Sequence, residues 1–228
     1  MELLQAINER HSVRSYLCKP VGEEKAQALQ ALIDECNKEG GLHLQLVLNE
    51  PKAFDGFMAH YGKFSGVRNY VALVGEKTDG LQEKVGYYGA KIILLAQTLG
   101  LNTCWVAMTY KKIKTAFTVG KNEKLCGVIA LGYGTTQGVA HKNKPLEEVC
   151  SSEISPAPAW FINGVKTALL APTAMNQQKF NFALTGDGKV KATAKSGFYT
   201  KTDLGIVRYF FELGAGEVTV RWANGLGE

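Results

Sequence analysis

The sequence predicts an α+β protein in which a mixed sheet is flanked by helices. Helical and strand patterns occur in mixed order along the chain. Residues 83–102 carry apolar side chains most of the way round a helix, which indicates a helix buried at the centre of the fold. Asp187-Gly188 lies between two strand-like segments and is a strong signal for a β-hairpin.

Two helices and two strands are predicted in the first third of the chain. Apolar residues at helical spacing define helices at 2–9 and 21–41, and the glycine pair at 40–41 ends the second helix. Alternating apolar and polar residues predict a strand at 42–49. The nearly continuous apolar run at 69–76 predicts a strand that is buried on both faces.

The segment at 50–68 has neither a clear helical nor a clear strand period, but it is rich in aromatic residues. These side chains could line a ligand pocket or pack in the core, and core packing is the simpler interpretation. The aromatic residues are Phe54, Phe57, Tyr61 and Phe64.

Further along, the central helix ends at Gly100, and apolar segments at 103–108 and 125–134 are predicted to be inner strands. The Ser- and Pro-rich segment at 150–158 indicates a boundary. We therefore divide the chain into residues 1–150 and residues 151–228.

The C-terminal part is predicted to contain two helices around the hairpin. The first spans 158–172, with Pro158 near its start and Pro172 beyond its end. The second spans 202–214, with Thr202 as N-cap and Gly214 as C-cap. Residues 217–222 are predicted to add a last strand.

Composition excludes several classes of protein. The net charge of +5 is spread along the chain, which favours small anionic ligands over nucleic acid. Five widely spaced cysteines without a Cys-x-x-Cys pair argue against a disulfide framework and a zinc site, and the scattered histidines offer no metal site. The opening residues lack a signal peptide, and no apolar stretch is long enough for a bilayer, so we expect a cytoplasmic protein with no membrane partner.

Four polar residues cluster just after the first predicted helix: Arg10, His11, Ser12 and Arg14. They could form a solvated helix end, where cations suit the helix dipole. They could instead bind an anion such as a phosphate. The cluster alone favours the solvated helix end, unless other parts of the chain supply the rest of a ligand site.

Three other parts of the chain are candidate sites. The glycine-rich segment at 132–138 follows a strand, but no helix begins after it, which argues against a dinucleotide fingerprint. Cys104 lies in an apolar strand with no histidine nearby and is better explained as a buried thiol than as a nucleophile. The polar loop within 169–182 is either an ordinary turn or a surface for the edge of a heteroaromatic ring.

Four stretches resemble the FMN-dependent nitroreductase family and together cover most of residues 2–182. ERHSVRSY resembles its Arg-x-Ser-x-Arg segment, and GYYGAKIILLAQTLGLNTCWVAM resembles its central dimer-core helix and the loop that follows. GVIALGYG followed by HKNKPLEEV is similar to its late strand and basic segment. APTAMNQQKF resembles its Pro-Ser-x-x-Asn-x-Gln-Pro-Trp motif, with Thr for Ser and Lys-Phe for Pro-Trp.

The order of these motifs departs from the family. There the Pro-Ser-x-x-Asn motif follows the second helix, whereas here its counterpart comes after residue 170. In the family's homodimer the FMN contacts both subunits. The resemblance therefore implies two unequal halves that form an intramolecular pseudo-dimer: 1–150 acts as one subunit and 151–228 as a shortened second one. This chain would be monomeric with one FMN, and a domain-swapped or conventional dimer with two FMN sites is the alternative.

The resemblance also implies the residues that hold FMN. The phosphate would be bound by Arg10 and Arg14, with Lys142 and Lys144 completing the cationic site. His11 and Ser12 would hydrogen-bond the phosphate or the ribityl hydroxyls. The loop near flavin N5 would comprise Trp105, Val106, Ala107 and Met108, through a backbone N–H. The ring edge and ribityl chain would contact Pro172, Thr173, Ala174, Asn176 and Gln178.

The implied activity is that of an oxidoreductase centred on the flavin. NADH or NADPH would pass a hydride to flavin N5 and leave before a nitroaromatic or quinone acceptor binds, in ping-pong kinetics, with no catalytic protein side chain. A flavin-binding protein with little or no turnover is the alternative, and a protein that binds no flavin is a third. The sequence leaves open the physiological acceptor and the choice between the two nicotinamides.

Overall fold

The computed structural model describes residues 1–227, which fall into two compact units. The first comprises Met1–Thr78 and Lys91–Ala140; the second comprises Asp79–Ala90 and the chain from His141 onward. The division thus falls ten residues before the expected boundary at 150, and a piece of the central helix belongs to the second unit. Within residues 1–227, no helix is both long and apolar enough to cross a membrane.

The first unit is built on a four-stranded antiparallel sheet. Its strands are Gln45–Val47 (β1), Asn69–Glu76 (β2), Asn102–Val106 (β3) and Glu123–Gly132 (β4), in the order β1-β2-β4-β3. Every residue of β2 except Glu76 is buried, which confirms the prediction of a strand covered on both faces. Strand β1 is shorter than predicted, and β3 ends at Val106 rather than at Met108.

Four helices precede or connect these strands in the sequence. Leu3–Glu9 (α1), Glu23–Gly40 (α2), Phe57–Tyr61 (α3) and Leu81–Thr98 (α4) are the first four helices of the chain. Helix α2 ends as predicted, because Gly41 adopts a left-handed conformation (φ +61°) and its N–H donates to the Asn37 carbonyl. In α4, Ile92, Ile93 and Leu94 are completely buried, as expected for a central helix.

The second unit packs two helices on a small sheet. Its helices are Ala159–Ala168 (α5) and Thr200–Gly214 (α6), and its strands are Cys150–Ser152 (β5), Phe180–Leu184 (β6) and Val190–Ala194 (β7). Strands β6 and β7 form the predicted hairpin around Gly188 (φ +75°), and β5 pairs with β6 in parallel. The core is aromatic: the rings of Phe182 and Phe211 lie 4.6 Å apart between centroids.

Three predictions for the C-terminal part are wrong. Residues 150–152 form a strand instead of a linker. Helix α6 begins two residues earlier than predicted, with Tyr199 as N-cap, and its C-cap is Ala215. The segment at 217–222 is not a strand and makes a single bridge, between Trp222 and Val190.

Tertiary contacts account for the absence of a strand at 217–222. Arg208 lies 4.3 Å from the Trp222 ring centroid and donates hydrogen bonds to the carbonyls of Asn224 and Gly225. These contacts hold residues 222–225 to α6, and contacts between residues far apart in the chain override the local pattern that predicts a strand at 217–222.

Candidate functional site

The segment after α1 runs beside the edge strand β3. Val13 N–H donates to the Thr103 carbonyl at 3.1 Å, and Ser12 forms a parallel bridge with Thr103. The Tyr16 hydroxyl donates to the Val13 carbonyl at 2.7 Å, which closes the segment on itself. The cluster found in the sequence is therefore held by backbone pairing rather than lying free at a helix end.

Arg10 is buried, with 2% of its surface exposed. Its Nε has no hydrogen-bond partner among the residues that the structure describes. Burial lowers the pKa of its guanidinium to about 10, so the group is still charged at neutral pH. A buried charge without a counterion is costly, and an anion would satisfy it. This geometry does not fit the solvated helix end that the sequence alone favoured.

The other members of the cluster surround this charge to different degrees. His11 and Ser12 are half-buried, whereas Arg14 is exposed and its guanidinium carbon lies 6.0 Å from the centroid of the Phe64 ring. Burial raises the pKa of the Cys104 thiol, and the nearby arginines and a hydrogen bond with Ser12 offset only part of that rise. The thiol is therefore protonated at neutral pH, as the buried-thiol interpretation expects.

The glycine-rich segment at 132–138 packs against this cluster. Asn102, buried at the start of β3, accepts from Gly134 N–H and donates to Gln137 Oε1, each at 2.9 Å. A Cβ at Gly138 would lie only 2.8 Å from the Cβ of His11. The segment is thus a support for the cluster. Sequence reasoning missed Asn102, whose signal is a polar residue that opens an apolar strand.

The predicted N5 loop leaves β3 in the same unit. The indole Nε1 of Trp105 is buried and lacks a partner within residues 1–227, and Val106 is buried at the end of the strand. Ala107 and Met108 are exposed, with 68% of Met108 accessible. Part of this stretch is therefore a turn instead of the predicted strand, and its backbone is outside the ladder of the sheet.

The second unit contains the polar loop after α5. Pro172 is buried, Thr173 and Ala174 are half-buried, and Asn176 is exposed. Asn176 and Gln178 both have positive φ, 52° and 45°. This backbone is strained for residues other than glycine, which is a feature of functional loops.

Gln178 is buried and uses its amide within the second unit. Its Nε2 donates to the Lys142 carbonyl at 2.8 Å and to Asn176 Oδ1 at 2.7 Å, while its Oε1 accepts from Lys144 N–H at 2.8 Å. The Asn176 amide also donates to the Lys142 carbonyl, at 2.9 Å. The structure thus brings the loop and the basic segment together, with Gln178 as a positioning residue between them.

Asp203 supports the loop from the first turn of α6. Its carboxylate accepts from Ala174 N–H at 2.9 Å and from the Gln177 side chain at 2.8 Å. Burial raises the pKa of Asp203 to about 6, although both hydrogen bonds lower it. Sequence reasoning missed Asp203 and Gln177, because an aspartate in a first helical turn usually interacts with its own helix.

The predicted site residues therefore fall into two groups, each within one unit. Arg10, His11, Ser12, Arg14 and the 105–108 loop belong to the first unit, and Lys142, Lys144 and the 172–178 loop belong to the second. Across residues 1–227 there is no cluster of His, Cys, Asp and Glu that could hold a metal ion.

Comparisons with solved structures show where this fold occurs. The chain is similar to a structure from Thermotoga maritima MSB8 titled as a putative nitroreductase, with 21% identity, a TM-score of 0.67, and coverage of 94% of this chain and 83% of that one. A structure from Desulfovibrio desulfuricans, titled as a putative nitroreductase in complex with FMN, has 15% identity and a TM-score of 0.50. That match covers 69% of this chain and 99% of the other. Both likenesses confirm the nitroreductase-like α+β fold.

A comparison of the sequence with protein families identifies the family. None of the curated proteins matches the chain. One family does, over residues 2–215, and it bears the description "Putative TM nitroreductase". Because that match extends over nearly all of the 228 residues, the chain belongs to this nitroreductase family.

Proposed function

We propose that the chain is an FMN-dependent oxidoreductase that uses NADH or NADPH to reduce nitroaromatic or quinone-type acceptors. The observation that carries the proposal is the buried Arg10 guanidinium, whose Nε lacks a partner within residues 1–227. Membership of a nitroreductase family supports it, and so does the fold shared with a Desulfovibrio desulfuricans protein whose structure contains FMN.

The cluster around Arg10 fits the phosphate of FMN. A phosphate monoester carries nearly two negative charges, and a guanidinium matches its geometry with paired hydrogen bonds. Arg14 adds a second, exposed cation, and Ser12 adds a hydroxyl beside it. In the second unit, exposed Lys142 and half-buried Lys144 are also proposed to contribute positive charge for the phosphate.

The 105–108 loop fits the isoalloxazine ring. Backbone N–H groups at Ala107 and Met108 lie outside the β3 ladder, so they are available as donors to a ring nitrogen. The Trp105 indole N–H adds a buried donor that has no partner in the described part of the chain. Thr173, Ala174 and Asn176 are the proposed contacts to the ring edge, and Asp203 and Gln178 keep their loop in shape.

The residues of this chain contribute binding and position in the proposed reaction. FMN, when bound, supplies hydride transfer at N5. Arg10 holds the phosphate end, and the 105–108 backbone orients the ring. The Cys104 thiol takes no part, because burial raises its pKa and keeps it protonated.

Absorbance and FMN titration test the proposal. The purified protein is expected to show flavin bands or to bind added FMN, and the Arg10→Ala, Arg14→Ala double variant is expected to lose at least about 100-fold in affinity. Arg221→Ala removes an exposed arginine of the second unit and serves as the control. A wild-type protein that does not bind FMN would contradict the proposal.

Turnover separates the enzyme from a flavin-binding protein. Bleaching of the flavin by NADH or NADPH, followed by reoxidation with a quinone or a nitroaromatic, is expected of the enzyme. Tight FMN binding without bleaching would support the flavin-binding alternative.

A further inference from the structure

A groove in the first unit is used by none of the residues proposed to bind FMN. It has a volume of about 300 Å³ and lies between α3 and the segment that follows the 105–108 loop. Its side-chain walls are Phe57, Met58, Tyr110 and Lys111, and small residues (Ala53, Gly56 and Ala59) leave the space between them. This volume is at the lower end of the range for small-molecule sites.

The base of the groove is firmly packed. The Phe54 ring stacks on Tyr110 with centroids 6.2 Å apart, and it also contacts Phe64 at 5.2 Å. Lys111 N–H donates to the Ala53 carbonyl at 2.7 Å, which ties the two sides together. These contacts give the groove a preformed floor.

Helix α3 exposes two aromatic side chains, of which Phe57 lines the groove. Phe57 is 82% exposed and Tyr61 is 75% exposed. They are four residues apart in α3 and so lie on one face of the helix. Exposed apolar surface of this kind usually marks a binding site. Core packing was the simpler interpretation for the four aromatic residues of 50–68, but of these only Phe54 and Phe64 are buried.

Charge narrows the choice of ligand. Lys111 forms one side of the groove, and exposed Lys112 follows it in the sequence. Lys52, also exposed, precedes Ala53, which lines the groove as well. The nearby carboxylate of Glu50 is already used, because it accepts from the N–H groups of Lys52 and Ala53 and from the Tyr70 hydroxyl. These bonds do not neutralise Glu50, and exposed Asp55 is a second carboxylate near the groove, but neither lines it. Lys111 is the one charged residue in the lining that the structure describes, which suits an anionic group on the ligand.

We propose that this groove binds a flat aromatic molecule that carries a carboxylate. The aromatic ring contacts Phe57 and Met58, and the carboxylate pairs with Lys111. Thr109 lies in the sequence between the 105–108 loop and Tyr110 of the groove. It also lies close to the end of α3, because a Cβ at Gly62, the C-cap of that helix, would be 2.7 Å from the Thr109 side chain. The assignment of this ligand as an electron acceptor rests on the proposed function, whereas its binding does not.

Calorimetric titration of the full chain tests the proposal with a matched pair of compounds, 4-nitrobenzoate and the neutral 4-nitrobenzamide. We expect 4-nitrobenzoate to bind about two- to fivefold more tightly at low salt, with the preference lost in Lys111→Met. We expect Phe57→Ala to weaken both compounds about five- to tenfold. Lys38→Met and Phe198→Ala are the controls, because they remove an exposed lysine and an exposed phenylalanine that do not line the groove. They are expected to leave the affinities for both compounds unchanged.

Flat isotherms for both compounds, or variants at Phe57 and Lys111 that behave like their controls, would overturn the inference. The flavin content of the same preparations is recorded by absorbance. If the protein contains FMN but the isotherms are flat, ligand binding in the groove is contradicted and the proposed function is not. Groove-dependent binding by a protein that takes up no FMN supports the groove and contradicts the proposed function.

Discussion

Arg10 illustrates how much a single residue depends on its surroundings. In the sequence it is one of two arginines after a short helix, and a solvated helix end explains it well. In the structure its guanidinium is buried beside β3, and its Nε has no partner in residues 1–227. Sequence spacing fixes neither burial nor the absence of a counterion, because both arise from pairing between segments far apart in the chain.

Asp203 leads to a prediction about pH. Burial raises its pKa from 3.8 to about 6 in the folded protein. As the pH rises from about 4 to about 6, the unfolded chain loses this proton before the folded chain does, so the group lowers the free energy of unfolding by about 3 kcal/mol. Above that range its contribution is constant.

The Asp203→Asn variant is expected to lack this pH dependence. Asparagine keeps an oxygen for Ala174 N–H and removes the buried charge. Urea unfolding at several pH values should show the variant gaining stability relative to the wild type between about pH 4 and about pH 6. Asp34→Asn, at an exposed position, is the control. A stability difference that stays constant across this range would contradict the raised pKa.

At the scale of elements, the glycine-rich segment supports the Arg10 cluster through shape. Gly138 and Gly188 both have positive φ, 76° and 75°. A Cβ at Gly138 would meet His11 at 2.8 Å, whereas a Cβ at Gly188 has nothing within 4 Å. A side chain would therefore cause the same backbone strain at both positions, but only at Gly138 would it collide with a neighbouring residue.

Alanine at each of the two positions separates strain from contact. Both Gly138→Ala and Gly188→Ala are expected to lose about 1 kcal/mol of stability from the left-handed backbone. Only Gly138→Ala is expected to weaken FMN binding, by about tenfold, since it displaces His11 and Ser12. Thermal unfolding and FMN titration of the two variants measure these effects. Equal FMN affinities would show that the segment does not position the cluster.

Elements with a strong local pattern were predictable from the sequence. The apolar run of β2, the long helix α4 and the hairpin at Gly188 each carry their own signal, and the structure confirms them. The early start of α6 was not predictable, because Tyr199 at its N-cap has no capping side chain. The support of the 173–178 loop was also hidden, since it comes from Asp203 in another element.

At the scale of the molecule, a buried ion pair joins two segments of the second unit. Arg208 donates to Glu83 at 2.7 Å, and both side chains are almost completely buried. The same guanidinium binds the carbonyls of Asn224 and Gly225, so all its charge is satisfied inside this unit. Arg10, in the first unit, lacks such a counterion in the described part of the chain, and this contrast is the reason why we propose that Arg10 binds the FMN phosphate.

The order of the motifs gives a prediction about the assembly. The counterpart of the family's Pro-Ser-x-x-Asn motif comes after residue 170 in this chain instead of after the second helix, which is the basis of the pseudo-dimer hypothesis. We therefore expect one FMN per monomeric chain. Light scattering coupled to size exclusion gives the mass, and absorbance gives the ratio of flavin to chain, with the Arg10→Ala, Arg14→Ala variant as the flavin-poor control. One FMN per chain in a dimer that persists on dilution would contradict the pseudo-dimer and favour the conventional or domain-swapped arrangement.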